Sequence, residues 1–174
     1  MTQQPELVSD SAALRIDDLV RSLSPALLAY FARRVVPQED AADCLSETLL
    51  VLWRRRADLP KNEDDRRAWA YGVARRVLLA QRRGGARQAM LAARIRDELR
   101  TTPIAADVQD GPAIKALSRL KERDRELVGM VVWDGLSVSE AGAALGLRPD
   151  AARARYSRAR RRLRAALNRR NESL

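Results

Sequence analysis

The sequence predicts an all-α protein built as two small helical domains, a helical bundle and a helix-turn-helix, joined by a flexible linker. Three observations predict it. Apolar residues recur at three- and four-residue spacing along most of the chain, the period of a helix with one buried face. Helix-breaking and acidic residues collect in one stretch near the middle, which separates two such blocks. The apolar fraction is 46% with only 4% aromatic residues, so two thin cores of Leu, Val, Ile and Ala are expected within 174 residues.

The elements follow in order. Residues 1–23 form an N-terminal extension in which Ile16, Leu19, Val20 and Leu23 suggest a short amphipathic helix. A new helix is expected from Ser24, as cap, with Pro25 in its first turn; Leu27, Leu28, Phe31 and Val35 follow, and Pro37 ends the run. Residues 40–56 form the next helix, with Ala41, Leu45, Leu49, Leu52 and Trp53 as its apolar stripe. Its acids come first and Arg54, Arg55 and Arg56 last, the order that the helix dipole favours. A loop over 59–65 leads to a third helix, 66–83, in which Trp69, Val73 and Val77 mark the core face and Gly84-Gly85 is expected to stop it. The first domain is thus 24–84.

Residues 85–112 read as a solvated linker, with a helix possible over 88–100 and breakers at Thr101-Thr102-Pro103 and Asp110-Gly111-Pro112. The second domain is 113–170, followed by a tail, 171–174. Two short helices, 113–120 and 124–133, end at Asp134-Gly135. Ser137-Val138-Ser139-Glu140 then has the spacing of a capping box, with Leu136 and Ala141 placed to staple it. The helix that it opens lasts two turns. Gly146 closes it, and Pro149 lies in the first turn of a long last helix. A short helix, a glycine turn and a second helix are the parts of a helix-turn-helix. On the last helix Ala152, Tyr156, Ala159 and Leu163 form the inward stripe, and Asp150, Ala154, Ser157, Arg158 and Arg161 stand opposite. Small, acidic and basic residues in its first turns suit base edges; the later arginines suit phosphates. A solvated arginine-rich surface is the competing reading.

Composition limits function. A net charge of +10, with Arg far in excess of Lys, favours a polyanionic partner. The chain has no histidine and one cysteine, Cys44, so neither a metal site nor the common nucleophile–base pairs are expected. No phosphate-binding glycine loop occurs, and no cofactor, small-molecule substrate or catalytic residue is expected. No apolar run reaches the length of a membrane span and no signal peptide is visible, so a cytoplasmic location is expected.

Several segments carry a family resemblance. Leu117-Ser118-Arg119-Leu120, Glu122-Arg123-Asp124-Arg125-Glu126, Asp134-Gly135-Leu136-Ser137, Glu140, Leu145-Gly146 and Arg158-Ala159-Arg160-Arg161-Arg162-Leu163 resemble region 4 of the extracytoplasmic-function (ECF) bacterial sigma factors. Asp40-Ala41-Ala42-Asp43 with Glu47-Thr48 and Trp53, and Arg67-Ala68-Trp69 with Tyr71 and Ala74-Arg75, resemble region 2. The resemblance implies a non-enzymatic subunit that binds the beta and beta-prime subunits of core RNA polymerase and promoter DNA. By that resemblance Asp43, Glu47, Leu50, Trp53, Arg54 and Arg55 contact polymerase. Lys61, Asn62, Arg67, Tyr71, Arg75 and Arg76 bind and help melt the −10 element. Arg148, Asp150, Ala151, Arg153, Ala154, Ser157, Arg158, Arg161 and Arg162 read or clamp the −35 element. An anti-sigma protein is a further implied partner, and one could hold the chain at the membrane. Many relatives carry Asn at the position of Arg76 and Asp at that of Ala80. A stand-alone helix-turn-helix regulator is the rival class; it predicts specific DNA binding without polymerase.

Overall fold

The computed structural model describes residues 6–99 and 112–171. Those residues are helical apart from short connections. The helices are α1 (Glu6–Ala32), α2 (Asp40–Arg54), α3 (Glu63–Leu99), α4 (Pro112–Ser118), α5 (Glu122–Val132), α6 (Val138–Ala144) and α7 (Pro149–Asn171), with a 3₁₀ turn over Arg56–Asp58. Among the described residues no helix is long and apolar enough to cross a membrane.

Helices α1, α2 and α3 pack pairwise into the first bundle; α4, α5 and α6 pack around the front of α7 in the second. The expected stripe of α2 is half right. Ala41, Cys44, Thr48 and Leu52 are its buried residues, whereas Trp53 lies at the exposed edge. The Thr48 hydroxyl, fully buried, donates to the Cys44 carbonyl at 2.7 Å. The mixed sequence of α7 works as expected: Ala152 and Ala159 are buried and Tyr156 and Leu163 half-buried against the second bundle.

Two expected boundaries are wrong. Ser24 and Pro25 do not begin a helix: α1 runs straight through Pro25. Ile16, Leu27, Tyr30 and Phe31 lie along one buried face, with Val20 and Leu23 half-buried between them, so burial of a continuous stripe overrides the local proline signal. Ser24 donates its hydroxyl to the Val20 carbonyl at 2.6 Å instead of capping. Likewise Gly84 and Gly85 do not stop α3, which continues to Leu99 and absorbs the start of the expected linker. The breakers between 100 and 111, residues 1–5 and the tail 172–174 lie outside the described residues.

The two bundles do not stand apart. Helix α3 packs along α6, and one core joins them. Leu27, Tyr30, Phe31, Tyr71, Ala74 and Leu78 from the first bundle meet Leu127, Met130, Leu136, Ala141 and Leu145 from the second. The helices come close at Gly72, where an added Cβ would lie 3.6 Å from the Ala144 carbonyl oxygen, ordinary contact distance, so the approach does not require a glycine.

Candidate nucleic-acid interface

The helix-turn-helix is built by local chemistry. Ser137 is extended, and its hydroxyl accepts from the Glu140 amide at 3.1 Å. Glu140 accepts in return from the Ser137 amide at 2.7 Å, which completes the capping box. Leu136 and Ala141 are both buried in the shared core, as a staple requires. Gly146 takes the left-handed conformation, φ +65°, and the Leu147 amide reaches back to the Gly142 carbonyl at 2.8 Å. Gly142 sits where α6 crosses α7; a Cβ there would come 2.5 Å from the Ala152 Cβ. From α7, Arg155 donates to the buried Asp124 at 2.9 Å and ties the helix to α5.

This scaffold aims one face of α7 at solvent. Arg148, Asp150, Ala151, Arg153, Ala154, Ser157, Arg158, Arg161 and Arg162 are all exposed. Asp150 pairs with Arg153 one turn on. A shallow groove beside this face is lined by Val138, Arg153, Tyr156, Arg160, Arg161 and Arg164. An exposed face that is cationic along its length, with small side chains near the helix start, matches what a major groove presents.

On α2 the structure brings together Asp43, Glu47, Leu50, Trp53, Arg54 and Arg55, all exposed, with Leu50 and Trp53 adjacent apolar residues on that face. Arg56 stacks on Trp53, 5.2 Å from the ring centre, and Arg55 pairs with Asp58 at 2.9 Å. Cys44 lies on the opposite, buried side, and burial together with Glu47, Asp40 and Asp43 pushes its thiol pKa up, which disfavours the reactive thiolate.

The remaining group is divided. Lys61 and Asn62 are exposed in the loop before α3, and Arg76 is exposed. The resemblance assigns Arg67, Tyr71 and Arg75 to the −10 element. They are at the seam between the bundles, because the face that they share carries Ala74 and Leu78 as well and is closed by α5 and α6. Arg75 donates to both oxygens of Glu126, at 2.9 to 3.2 Å. Arg67 donates to the Asp134 carbonyl at 2.9 Å and stands 3.9 Å from Glu140. Tyr71 is fully buried, its ring edge-on to Tyr30 at 5.6 Å, and its hydroxyl makes no well-formed hydrogen bond, with the Arg67 guanidinium beside it. Burial, then the Asp134 carboxylate, pushes its pKa up.

Sequence reasoning missed Asp134, Glu126, Arg33 and Arg34. The Asp134 carboxylate has no exposed surface and is held by Arg33 and, at 2.6 Å, by Arg34. Asp134-Gly135 reads locally as a turn, and Gly135 is indeed left-handed; nothing nearby in sequence announces the distant arginines.

Residues 19–88 match Sigma-70 region 2, and residues 112–163 match Sigma-70, region 4. The ECF RNA polymerase sigma factor SigF of Caulobacter vibrioides is 35% identical over 159 residues, 88% of this chain and 84% of that protein. This chain is an ECF sigma factor.

The fold agrees. The sigma factor RpoE of Bartonella quintana, solved with the anti-sigma factor NepR, superposes with a TM-score of 0.61 at 23% identity, covering 88% of this chain and 97% of that one. CnrH, solved with the cytosolic domain of CnrY, gives 0.61 at 24% identity, covering 93% and 96%. The ECF factor therefore serves promoter-specific initiation of transcription, with α1–α3 carrying region 2 and α4–α7 carrying region 4.

Proposed function

We propose that this ECF factor recruits core RNA polymerase through α2, captures and melts the −10 element with region 2, and reads the −35 element with α7. The exposed, cationic α7 face, held by a capped helix-turn-helix, is the observation that supports this most directly. Region 2 spans 24–84 and region 4 spans 113–170 in this reading.

Each residue has a task. Arg153 and Arg158, near the front of α7, address guanine edges. Asp150 orients Arg153 as well as offering an acceptor to a cytosine amino group, since the two side chains pair. Arg148, Arg161 and Arg162 address phosphates, and Ala151, Ala154 and Ser157 leave room for the groove floor. On α2, Leu50 and Trp53 give an apolar contact for the polymerase, framed by Asp43, Glu47, Arg54 and Arg55. Lys61, Asn62, Arg67, Tyr71, Arg75 and Arg76 hold the opened −10 strand by charge and stacking. The protein breaks no bond; its binding energy favours opened DNA over duplex. An anti-sigma protein completes the scheme, because both structural relatives were solved bound to a second protein and one of these is named as an anti-sigma factor.

Transcription in vitro on a genomic promoter library, by core polymerase with and without the chain, tests the reading. RNAs that start only when the chain is added are expected. Arg153→Ala and Arg158→Ala should each weaken use of promoters with the preferred upstream element, by about tenfold for a lost base contact of about 1–3 kcal/mol. Arg75→Ala should slow opening more than recruitment. Sequence-selective duplex binding by the chain alone, with no effect on polymerase, would instead establish the stand-alone regulator.

A further inference from the structure

At one end of the seam both bundles line a cavity of about 360 Å³. Arg33 and Arg34, just past α1, and Arg82 of α3 bound it on one side; Arg125 and Gly129 of α5, with Trp133 at its end, bound it on the other. Its flat wall is Trp133, which is 50% exposed although it is the bulkiest apolar side chain of region 4. The Trp133 amide donates to the Gly129 carbonyl at 2.9 Å. A Cβ on Gly129 would come 3.2 Å from both the Arg34 guanidinium and the Trp133 ring, tighter than side chains ordinarily meet. The bare glycine thus keeps an aromatic face and a guanidinium side by side.

The lining is cationic. Glu122 and Glu126 are set against its four arginines. Glu126 has both oxygens on Arg75, outside the cavity. Glu122 stands 3.7 Å from Arg82, with the two side chains 70% and 45% exposed, a weak pair that a stronger anion displaces. Asp134 engages Arg33 and Arg34 from below. Arg125, exposed on the rim, holds the Leu120 carbonyl at 3.2 Å.

We propose that this cavity binds a purine nucleoside polyphosphate. The base stacks on the open side of Trp133. The phosphates, with more charge than a carboxylate, replace Glu122 and bridge Arg82 and Arg125, with Arg33 behind them. The volume falls in the range of small-molecule sites, ~300–1,000 Å³. An anion without a ring leaves Trp133 unused, and a ring without charge does not displace Glu122, so both halves are required. Because the lining comes from both bundles, the bound nucleotide favours their docked arrangement. None of the lining residues is assigned above to polymerase or promoter, and binding needs neither, so failure here leaves that reading untouched.

Isothermal titration of the full chain at physiological salt tests the site. GTP and ATP are the whole probes; guanosine and inorganic triphosphate are the half probes. Each nucleotide should bind about tenfold or more tightly than either half probe, since stacking and charge each contribute on that scale. Trp133→Leu should bring GTP down to the affinity of inorganic triphosphate. Arg82→Ala with Arg125→Ala should weaken GTP by about tenfold or more. Arg160→Ala with Arg164→Ala removes the same charge from the groove beside α7 and should leave GTP affinity unchanged. GTP should also raise the melting temperature of the unmodified chain and of the Arg160/Arg164 variant, but not of the Arg82/Arg125 variant. Inorganic triphosphate binding as tightly as GTP, an equal loss in the Arg160/Arg164 variant, or no binding of either nucleotide at millimolar concentration overturns the proposal.

Discussion

At the scale of single residues, one hydrogen atom decides the docking angle of the helix-turn-helix. Gly142 has no side chain, and α7 uses the space through Ala152, which is fully buried. Gly142→Ala should lower stability by about 1–3 kcal/mol, because a methyl group forced into a packed crossing displaces both helices. A urea midpoint that stays put or rises would show that α6 and α7 are less closely packed than the geometry states. Tyr30 gives a second residue-scale expectation. Burial pushes its pKa up to about 12, against an ordinary 10.0, with Arg34, 4.0 Å above its ring, only partly opposing the shift. The folded form thus holds the phenolic proton more tightly than the unfolded form. Below pH 10 both are protonated and this contribution is fully present. It is lost as pH rises from about 10 through about 12, where the unfolded chain ionises first. With Tyr71 and Tyr156 replaced by Phe, phenolate absorbance should therefore appear together with loss of helical circular dichroism over that range; ionisation at an ordinary pH with the fold intact would contradict the burial of Tyr30.

At the scale of helices, local signals were reliable where a side chain closes on its own backbone. Ser137, Glu140, Leu136 and Gly146 lie within ten residues of each other, and their geometry agrees with their spacing. Pro149 likewise begins α7. The same signals misled at Pro25, where a long apolar stripe continues across it, and at Gly84-Gly85, whose described neighbours are mostly exposed. Pro25 and Gly84-Gly85 are ordinary breakers, yet α1 and α3 pass through, since a proline costs a helix about 3 kcal/mol and a glycine about 1. Burial of a face that includes Ile16, Leu27 and Phe31 exceeds the first cost, at about 1.5–3 kcal/mol for each large apolar side chain. Gly84 and Gly85 meet nothing within 4 Å on a Cβ added to either. Replacing both with alanine should raise helicity and the thermal midpoint, by up to about 2 kcal/mol in total. A fall in the midpoint would mean that the helix does end there.

At the scale of the whole molecule, the exposed face of α7 was legible from period and charge, and that of α2 only in part, since the period placed Trp53 in the apolar stripe. Each lies opposite a buried stripe on its own helix. The docking of region 4 on region 2 was not. Its partners are about forty to a hundred residues apart in sequence, as Arg82 with Glu122 and Arg34 with Asp134. No periodicity within one helix encodes that kind of match. The residues at it, Arg67, Tyr71 and Arg75, carry the same charge and ring chemistry that a DNA-facing pattern carries, so α3 read alone does not distinguish the two. Of the seam ion pairs, Arg82 with Glu122 is exposed and screened by salt, worth about 0–1 kcal/mol, whereas the pairs of Asp134 and Glu126 are largely buried and screened much less. The apolar core across the seam, with Leu127 and Met130 fully buried in it, is not screened. Moderate salt should accordingly loosen the docking without abolishing it.

The phenol of Tyr71 gives that docking a spring. A hydroxyl shut away with no well-formed hydrogen bond, the Arg67 guanidinium its neighbour, forfeits up to about 1–3 kcal/mol of hydration, which is regained whenever water or a nucleotide reaches it. Trimming that oxygen in Tyr71→Phe should harden the compact form: a higher melting temperature and slower hydrogen exchange along α3, bought with sluggish promoter opening. A softer protein after the change would mean that the oxygen already has company.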